Sequence, residues 1–371
     1  MQLENEFYKL PLTFDIEQLE REVLQFEENE WAPHHEHFKG NSAIPLISVA
    51  GGFNNEFKGE MNQTPALKRC SYIQQAIASF GEVIGRSRLM RLAPGCEVPL
   101  HSDINYHWHK RVRVHIPIIT DENVIFHCGD KQVHMAAGEC WIFDSWKHHK
   151  VVNESDCLRV HLVVDLIGSS RFWAMIRERS IPSGSVTGPS VPSKFLTFSD
   201  SNASQIITEK FNFPVIMLPS EIESLTNELT EQIRGYKQNN NDAAQEFIQI
   251  IKDFSLDWQE IWSQFETTKA GWPLYHQLRQ GTLERASVLE NRVLVDEQTS
   301  AMKVLIHLIV APSMNTELAE STPPTAPRTI LPGAEQKTEI NREKPLKAMS
   351  RNSPCHCGSG EKFKHCHGRV S

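Results

Sequence analysis

Between residues 86 and 166 the chain is cut into short segments rich in β-branched residues: Arg86–Pro94, Lys110–Ile119, Asn123–Gly129, Glu139–Asp144 and Cys157–Leu166. Turn formers separate them, namely Pro94-Gly95, Thr120-Asp121-Glu122-Asn123, Gly129-Asp130 and Gly138. Strands this short and this closely spaced predict an all-β barrel or jelly roll. Two helices are expected in front of it, from Ile16, Leu19, Val23 and Phe26 and from Ile73, Ile77 and Phe80 at helical spacing. Within Lys110–Ile119, residues two apart share a face. Val112, Val114 and Ile116 therefore lie on one side, and Arg113 and His115 on the other.

Downstream the texture changes. Residues 1–195 read as the β-rich domain and 196–312 as a smaller helical region. In the latter, Ser220 and Glu223 have capping-box spacing, and Ile222, Leu225, Leu229 and Ile233 mark one helical face. Phe247, Phe254, Trp258, Trp262 and Phe265 supply its aromatics, whose ordinary use is core packing. The proline- and charge-rich stretch 313–350 lacks the apolar content to order itself and reads as a disordered linker. Residues 351–371 form a separate miniature unit.

Histidine points to chemistry. Of 17 histidines, nine fall between His101 and His161. His101 and Asp103, two apart on an extended segment, can face one metal ion. A third ligand is available at His148 or His149, which face opposite sides of an extended chain. Two histidines and one carboxylate make the facial triad of non-haem Fe(II) oxygenases. Arg159, on the next expected strand, suits two-point binding of a carboxylate. A metal triad followed by such an arginine is what a 2-oxoglutarate site requires. Arg113 and His115 can contact the cosubstrate or a substrate carboxylate; alternatively Arg113 pairs with a local acid and His115 is a hydrogen-bonded core residue. His107, His109, His127 and His134 read as surface or cleft residues, and Asp144 as a residue that orients a turn. Trp141, Phe143 and Trp146 read as barrel core that also keeps the site dry.

Leu89–Leu166 resembles the aspartyl/asparaginyl β-hydroxylase family of Fe(II)/2-oxoglutarate dioxygenases. The matching pieces are L-x-P-G (Leu92–Gly95), the His101/Asp103 pair, R-V-H-I-P (Arg113–Pro117), G-E-x-W-x-F-D (Gly138–Asp144), H-x-V-x-N (His149–Asn153) and L-R-V-H-L-V-x-D (Leu158–Asp165). The resemblance selects His149 over His148. It implies a double-stranded β-helix, iron ligated by His101, Asp103 and His149, and 2-oxoglutarate bound by Arg159 with help from His115 and Arg113. O2 would be the second cosubstrate, and succinate and CO2 the by-products of hydroxylating an unactivated C–H bond. Animal members lack the acidic iron ligand, and Asp103 departs from them. The bacterial proline 3-hydroxylases keep His-x-Asp and place a helical region after the barrel. The resemblance therefore implies an amino-acid substrate, free or peptidyl and Asp-, Asn- or Pro-like.

The last residues carry a second motif. Cys355-x-Cys357, then Cys366-His367, give four ligands of the kind found in closed structural zinc sites. The string from Pro354 to Gly368 resembles the SEC-C motif, the zinc-binding tail of the SecA translocation ATPase. This implies a bound Zn(II) and a module that docks on a protein partner.

Composition closes off other classes. Lys plus Arg is 38 against 46 Asp plus Glu, a net charge of −8, so no global basic field points the body toward nucleic acid. No run of roughly 18 apolar residues predicts a membrane span. The start MQLENEFYKL lacks the pattern of a secretory signal, and five scattered cysteines do not form a disulfide framework, so a cytoplasmic setting is expected. The competing readings are a non-catalytic cupin-like adaptor acting through its zinc tail, and a hydroxylase of another small metabolite or lipid-linked substrate.

Overall fold

The computed structural model describes residues 1–33, 38–179, 181–182, 193–199 and 205–321, with 352, 362 and 365. The chain divides into two compact units, Met1–Asn212 and Phe213–Ser371.

In the first unit the strands are β1 (Phe7–Phe14), β2 (Asn41–Val49), β3 (Val83–Leu92), β4 (Cys96–His101), β5 (Val112–Ile119), β6 (Val124–Cys128), β7 (Lys131–Val133), β8 (Glu139–Phe143), β9 (His149–Asn153) and β10 (Arg159–Leu166). The larger sheet contains β1-β8-β5-β10-β3-β2 in that order, and the smaller runs β4-β9-β6-β7. Along the chain β3 belongs to the larger sheet, β4 to the smaller, β5 to the larger, β6 and β7 to the smaller, β8 to the larger, β9 to the smaller and β10 to the larger. That alternation between two antiparallel sheets is the jelly roll expected from the spacing of the segments. Short additions extend the larger sheet past the barrel: Lys194–Leu196 pairs β1, and Ile207–Thr208 pairs β3.

Period-two alternation gives the larger sheet two unlike faces. Val112, Val114, Ile116 and Ile118 of β5 and Val160, Leu162, Val164 and Leu166 of β10 join the main core with helices α1 (Ile16–Leu24), α2 (Ser71–Ala78) and, after the short α3 (Tyr106–Lys110), α4 (Ser170–Arg179). Fully burying such side chains contributes about 1.5–3 kcal/mol each, enough to fix the register. Once the apolar set is inward to the helices, Arg113, His115, Arg159, His161 and Asp165 must face the other sheet. There a second apolar cluster, including Phe7, Leu92, Phe126, Cys128, Trp141, Phe143 and Val151, closes one part of the space between the sheets.

Local signals agree with these elements. Asp15 caps α1 by accepting from the Gln18 N–H at 3.2 Å. The Glu22 carboxylate reaches from α1 to accept from Tyr72 and Ile73 N–H at 2.7 and 2.8 Å, satisfying orphan donors at the start of α2. At Gly138 φ is +76°, and a Cβ there would stand 2.8 Å from the Phe14 carbonyl oxygen, so only glycine serves this turn.

The second unit is helical, with α5 (Pro219–Gly235), α6 (Asn241–Phe265) and α7 (Trp272–Ser287). The expected capping box at Ser220 and Glu223 is corrected: α5 begins at Pro219 with Leu218 as its cap residue and no side-chain cap. Proline is favoured at the first helical position because its missing N–H is not needed there, and this moves the start ahead of Ser220, which lies inside the helix. Phe247, Phe254 and Trp258 are buried as expected, while Trp262 and Phe265 remain partly exposed. The Arg279 guanidinium is buried and donates to the Val310 carbonyl at 2.7 Å. A helix spans Thr316–Ser321, inside the stretch expected as linker. Just before it, Asn315 anchors the chain by donating from its side chain to the Pro214 and Pro312 carbonyls, each at 2.7 Å. The zinc-ligand residues Cys355, Cys357, Cys366 and His367 lie outside the described residues. No helix among the described residues is long and apolar enough to cross a membrane.

Candidate metal centre and its buried arginines

The smaller sheet builds the metal-ligand cluster. β4 ends at His101, β9 begins at His149, and the two are register partners. Asp103 follows on the loop leaving β4, fixed by its N–H donating to the Ser145 carbonyl at 2.9 Å. One ligand atom from each of His101, Asp103 and His149 lies within 4.8 Å of the others. The two histidine Nε2 atoms are 4.0 and 3.9 Å from the two carboxylate oxygens of Asp103.

Both imidazoles are oriented in the same way. His101 Nδ1 contacts the Pro99 carbonyl at 2.7 Å, and His149 Nδ1 contacts the Lys147 carbonyl at 2.9 Å. A carbonyl only accepts, so each ring carries its proton on Nδ1 and turns a bare Nε2 toward Asp103. Phe143 packs edge-on against His149 at 4.8 Å between ring centroids. Burial, then the neighbouring His101, hold His149 down to about 4 against the attraction of Asp103, so it is neutral and a lone-pair donor at ordinary pH. His148 is on the opposite side of the strand start, and its carbonyl accepts from Gly129 N–H at 2.9 Å.

Arg159 opens β10 and is 3% exposed. Its Nη2 contacts His161 Nδ1 at 2.7 Å, and its Nε has no partner. It forms no ion pair among the described residues. Burial pulls it down to about 9, which leaves it cationic at neutral pH. A buried guanidinium without an acid is costly, and this one suits an anionic guest. His115 lies beside it, with Nδ1 at 3.3 Å from His161 Nδ1 and its ring edge-on to Phe126 and Phe143.

Arg113 is placed differently. Its Nε and Nη2 donate to the two Asp165 oxygens at 2.7 and 3.0 Å, the local-acid arrangement. Its guanidinium also stacks on Trp108 at 4.3 Å. His107, expected at the surface or in a cleft, is instead buried, with Nε2 3.1 Å from Asp165 Oδ2 and its ring against Phe57. Burial drives His107 down to about 3 despite Asp165. Asp144 orients a turn as expected, accepting from Leu3 and Trp146 N–H at 3.0 Å.

Three contributors were not singled out from sequence: Arg86, Arg88 and Asp165. Arg86 and Arg88 are both buried on β3, and each has an Nε without a hydrogen-bond partner. Arg86 lies flat on Phe57 at 3.8 Å and donates to the Asn55 carbonyl at 3.1 Å; Arg88 donates to the Asn55 side chain at 3.1 Å. Asp165 is the one carboxylate in contact with this arginine cluster among the described residues, 3.8 Å from Arg86 Nε. Arg88 lines a cleft with Ala43, Pro45, Phe53, Asn54 and Asn55. The sequence did hold a signal: Arg86, Arg88 and Met90 alternate with Ser87 and Leu89, which places both arginines on one strand face. Ala32 and Pro33 also line this cleft, next to residues 34–37, which lie outside the described residues.

Residues 15–168 match the family described as aspartyl/asparaginyl beta-hydroxylase. L-proline cis-3-hydroxylase 1 of Streptomyces sp is 28% identical over 140 residues, covering 35% of this chain and 48% of that protein. The chain thus spans about half the length of that relative. Residues 351–369 match the SEC-C motif. Protein translocase subunit SecA of Xanthomonas campestris pv. campestris (strain B100) is 50% identical over 34 residues, 9% of this chain and 4% of SecA. Among solved structures, a Pseudomonas putida prolyl-4-hydroxylase aligns with a TM-score of 0.30 and 13% identity over 44% of this chain and 92% of its own.

Proposed function

We propose that the β-hydroxylase-like unit is an Fe(II)/2-oxoglutarate-dependent dioxygenase that hydroxylates an unactivated C–H bond of an amino acid, free or in a peptide. The observation that carries this reading is the convergence of two bare Nε2 atoms and one carboxylate within 4.8 Å, with Arg159 on the facing sheet, its Nε unpartnered and no ion pair to it among the described residues. His101, Asp103 and His149 would hold the metal on one side only, leaving positions free for other ligands. When bound, Fe(II), 2-oxoglutarate and O2 together supply the oxidising power, with succinate and CO2 released.

The chain's own residues position and protect. Arg159 receives the far carboxylate of the cosubstrate, which neutralises a buried charge that otherwise has no acid. Phe126, Phe143 and Trp141 exclude water from the side of His149 and His115. Arg88, with Arg86 behind it, favours an anionic group such as an amino-acid carboxylate in the cleft, since one Asp165 does not balance three guanidinia. The named reaction of the Streptomyces relative, on proline, agrees with an amino acid of small size. Only the C–H bond held nearest the metal would react.

The SEC-C-like tail is proposed to bind Zn(II) through Cys355, Cys357, Cys366 and His367 and to serve as a docking module for a protein partner, apart from the chemistry of the barrel.

The test is anaerobic titration of metal-free protein with Fe(II) and 2-oxoglutarate, followed by the visible metal-to-ligand charge-transfer band. The band is expected in wild type and absent in His149→Ala. No band in folded wild-type protein would sink the proposal and favour a non-catalytic adaptor.

A further inference from the structure

We infer that His161 is a positioning residue for Arg159, and that its bare Nδ1 fixes both the guanidinium and the proton of His115. The inference rests on the reading of Arg159 as the receiver of the cosubstrate carboxylate. Its geometry stands apart from that reading.

The argument starts from what each group is able to donate. Arg159 Nη2 is 2.7 Å from His161 Nδ1. A guanidinium has only N–H donors and keeps its charge. His161 Nδ1 is therefore the acceptor, the ring is neutral, and its proton is on Nε2. His115 Nδ1 lies 3.3 Å from the same His161 nitrogen. Two bare nitrogens at that separation would repel, so His115 carries its proton on Nδ1 and donates. One lone pair thus collects two donors from two strands. Both rings are fully within the protein, and burial disfavours the charged form of each.

The strand architecture makes this contact rigid. Arg159 and His161 share a face of β10, which is paired on both sides: Arg159 and His161 with Leu92 and Met90 of β3, and His161 with Pro117 of β5. The outward neighbours Val160 and Leu162 are locked into the main core. The long Arg159 side chain, in contrast, has no acid to fix it, and His161 is its hydrogen-bond partner among the described residues. The proton inventory leaves Arg159 Nε–H and His161 Nε2–H unpaired and His115 Nε2 bare. His115 is then no donor to a carboxylate. Its influence on the cosubstrate runs through His161.

An asparagine places its side-chain oxygen near the position of His Nδ1, whereas a glutamine reaches the position of Nε2. His161→Asn therefore keeps the acceptor that Arg159 uses, and His161→Gln removes it. In the full Fe(II)-loaded chain, the charge-transfer titration is expected to give a 2-oxoglutarate Kd for His161→Gln about tenfold above wild type. His161→Asn should stay within about threefold. At saturating cosubstrate kcat should change little in either. Equal weakening in both variants would mean a merely structural residue and would overturn the inference, as would wild-type affinity in both. The second measurement needs no iron. Long-range 1H–15N spectra of histidine-labelled protein, with the His161 signal identified by its loss in His161→Asn, should show the proton of His161 on Nε2. A proton on Nδ1 overturns the inference outright. If wild type gives no charge-transfer band, the dioxygenase reading falls and this spectrum alone decides the hold of His161 on Arg159.

Discussion

Arg113 and Asp165 are register partners on adjacent strands, and two parallel N–H···O contacts of 2.7 and 3.0 Å join them inside the barrel. The same carboxylate is shared with His107 and lies near Arg86. Arg113 thus spends its strongest contacts on the protein, and the cationic surplus of the site resides in Arg86, Arg88 and Arg159. One carboxylate organises the end of the barrel where Phe57 covers Arg86 and His107.

Asp165→Asn should cost about 3–5 kcal/mol of stability, because it leaves buried cations without their acid. Chemical denaturation at neutral pH measures this. The pH dependence follows from two groups. Burial opposes the charge of Asp165, but Arg113 and His107 outweigh it and hold its carboxyl far below the usual range. His107 is lowered to about 3 by burial. In both cases the unfolded chain binds protons more readily than the folded one, so stability rises with pH. The His107 contribution is complete above its unfolded value of 6.5 and is lost as pH falls toward 3. The Asp165 contribution begins to fail below its unfolded value of 3.8. Wild type should therefore lose stability steadily on acidification from pH 6.5, and a flat profile down to pH 4 would contradict the assignment.

Arg159→Met should abolish 2-oxoglutarate binding without unfolding the protein. The substitution removes a buried cation that has no acid, so the midpoint of thermal unfolding should hold or rise. Added 2-oxoglutarate with Fe(II) should raise the midpoint of wild type, by about 2.7 kcal/mol of stability at a hundredfold excess over Kd, and leave that of the variant unchanged.

Asp103→Ala should lose iron and 2-oxoglutarate turnover while keeping the fold. Asp103 is partly exposed, and its position is held by its backbone N–H on Ser145 rather than by its side chain. Metal analysis after gel filtration and circular dichroism provide the two readings. Retained iron would break the assignment of the triad.

Stopping the chain at residue 350 should remove one zinc per molecule and leave turnover with a diffusible substrate within about twofold, the usual range for changes remote from a site. Zinc content and succinate release measure the two effects. Loss of turnover in a folded truncated chain would tie the tail to catalysis.

The sequence by itself carried the strand spacing, the two-faced character of β5 and the His101/Asp103 pair, while the choice of His149 over His148 came from the family resemblance. The first three rest on short-range rules: residues two apart share a strand face, and turns need residues that tolerate them. The tertiary structure decided which partner each buried charge meets. Arg113 was equally suited to a cosubstrate or a local acid until β10 brought Asp165 into register with it. His107 was assigned to the surface or a cleft because its short helix, Tyr106–Lys110, gives no sign that Phe57 and Asp165 will enclose it. Arg86 and Arg88 were visible only as strand residues, and their surplus charge exists because non-local pairing supplies one acid for three guanidinia. Local periodicity fixes which way a side chain points, but not what arrives from a strand fifty or more residues away. The chemistry of a buried charge depends on that arrival.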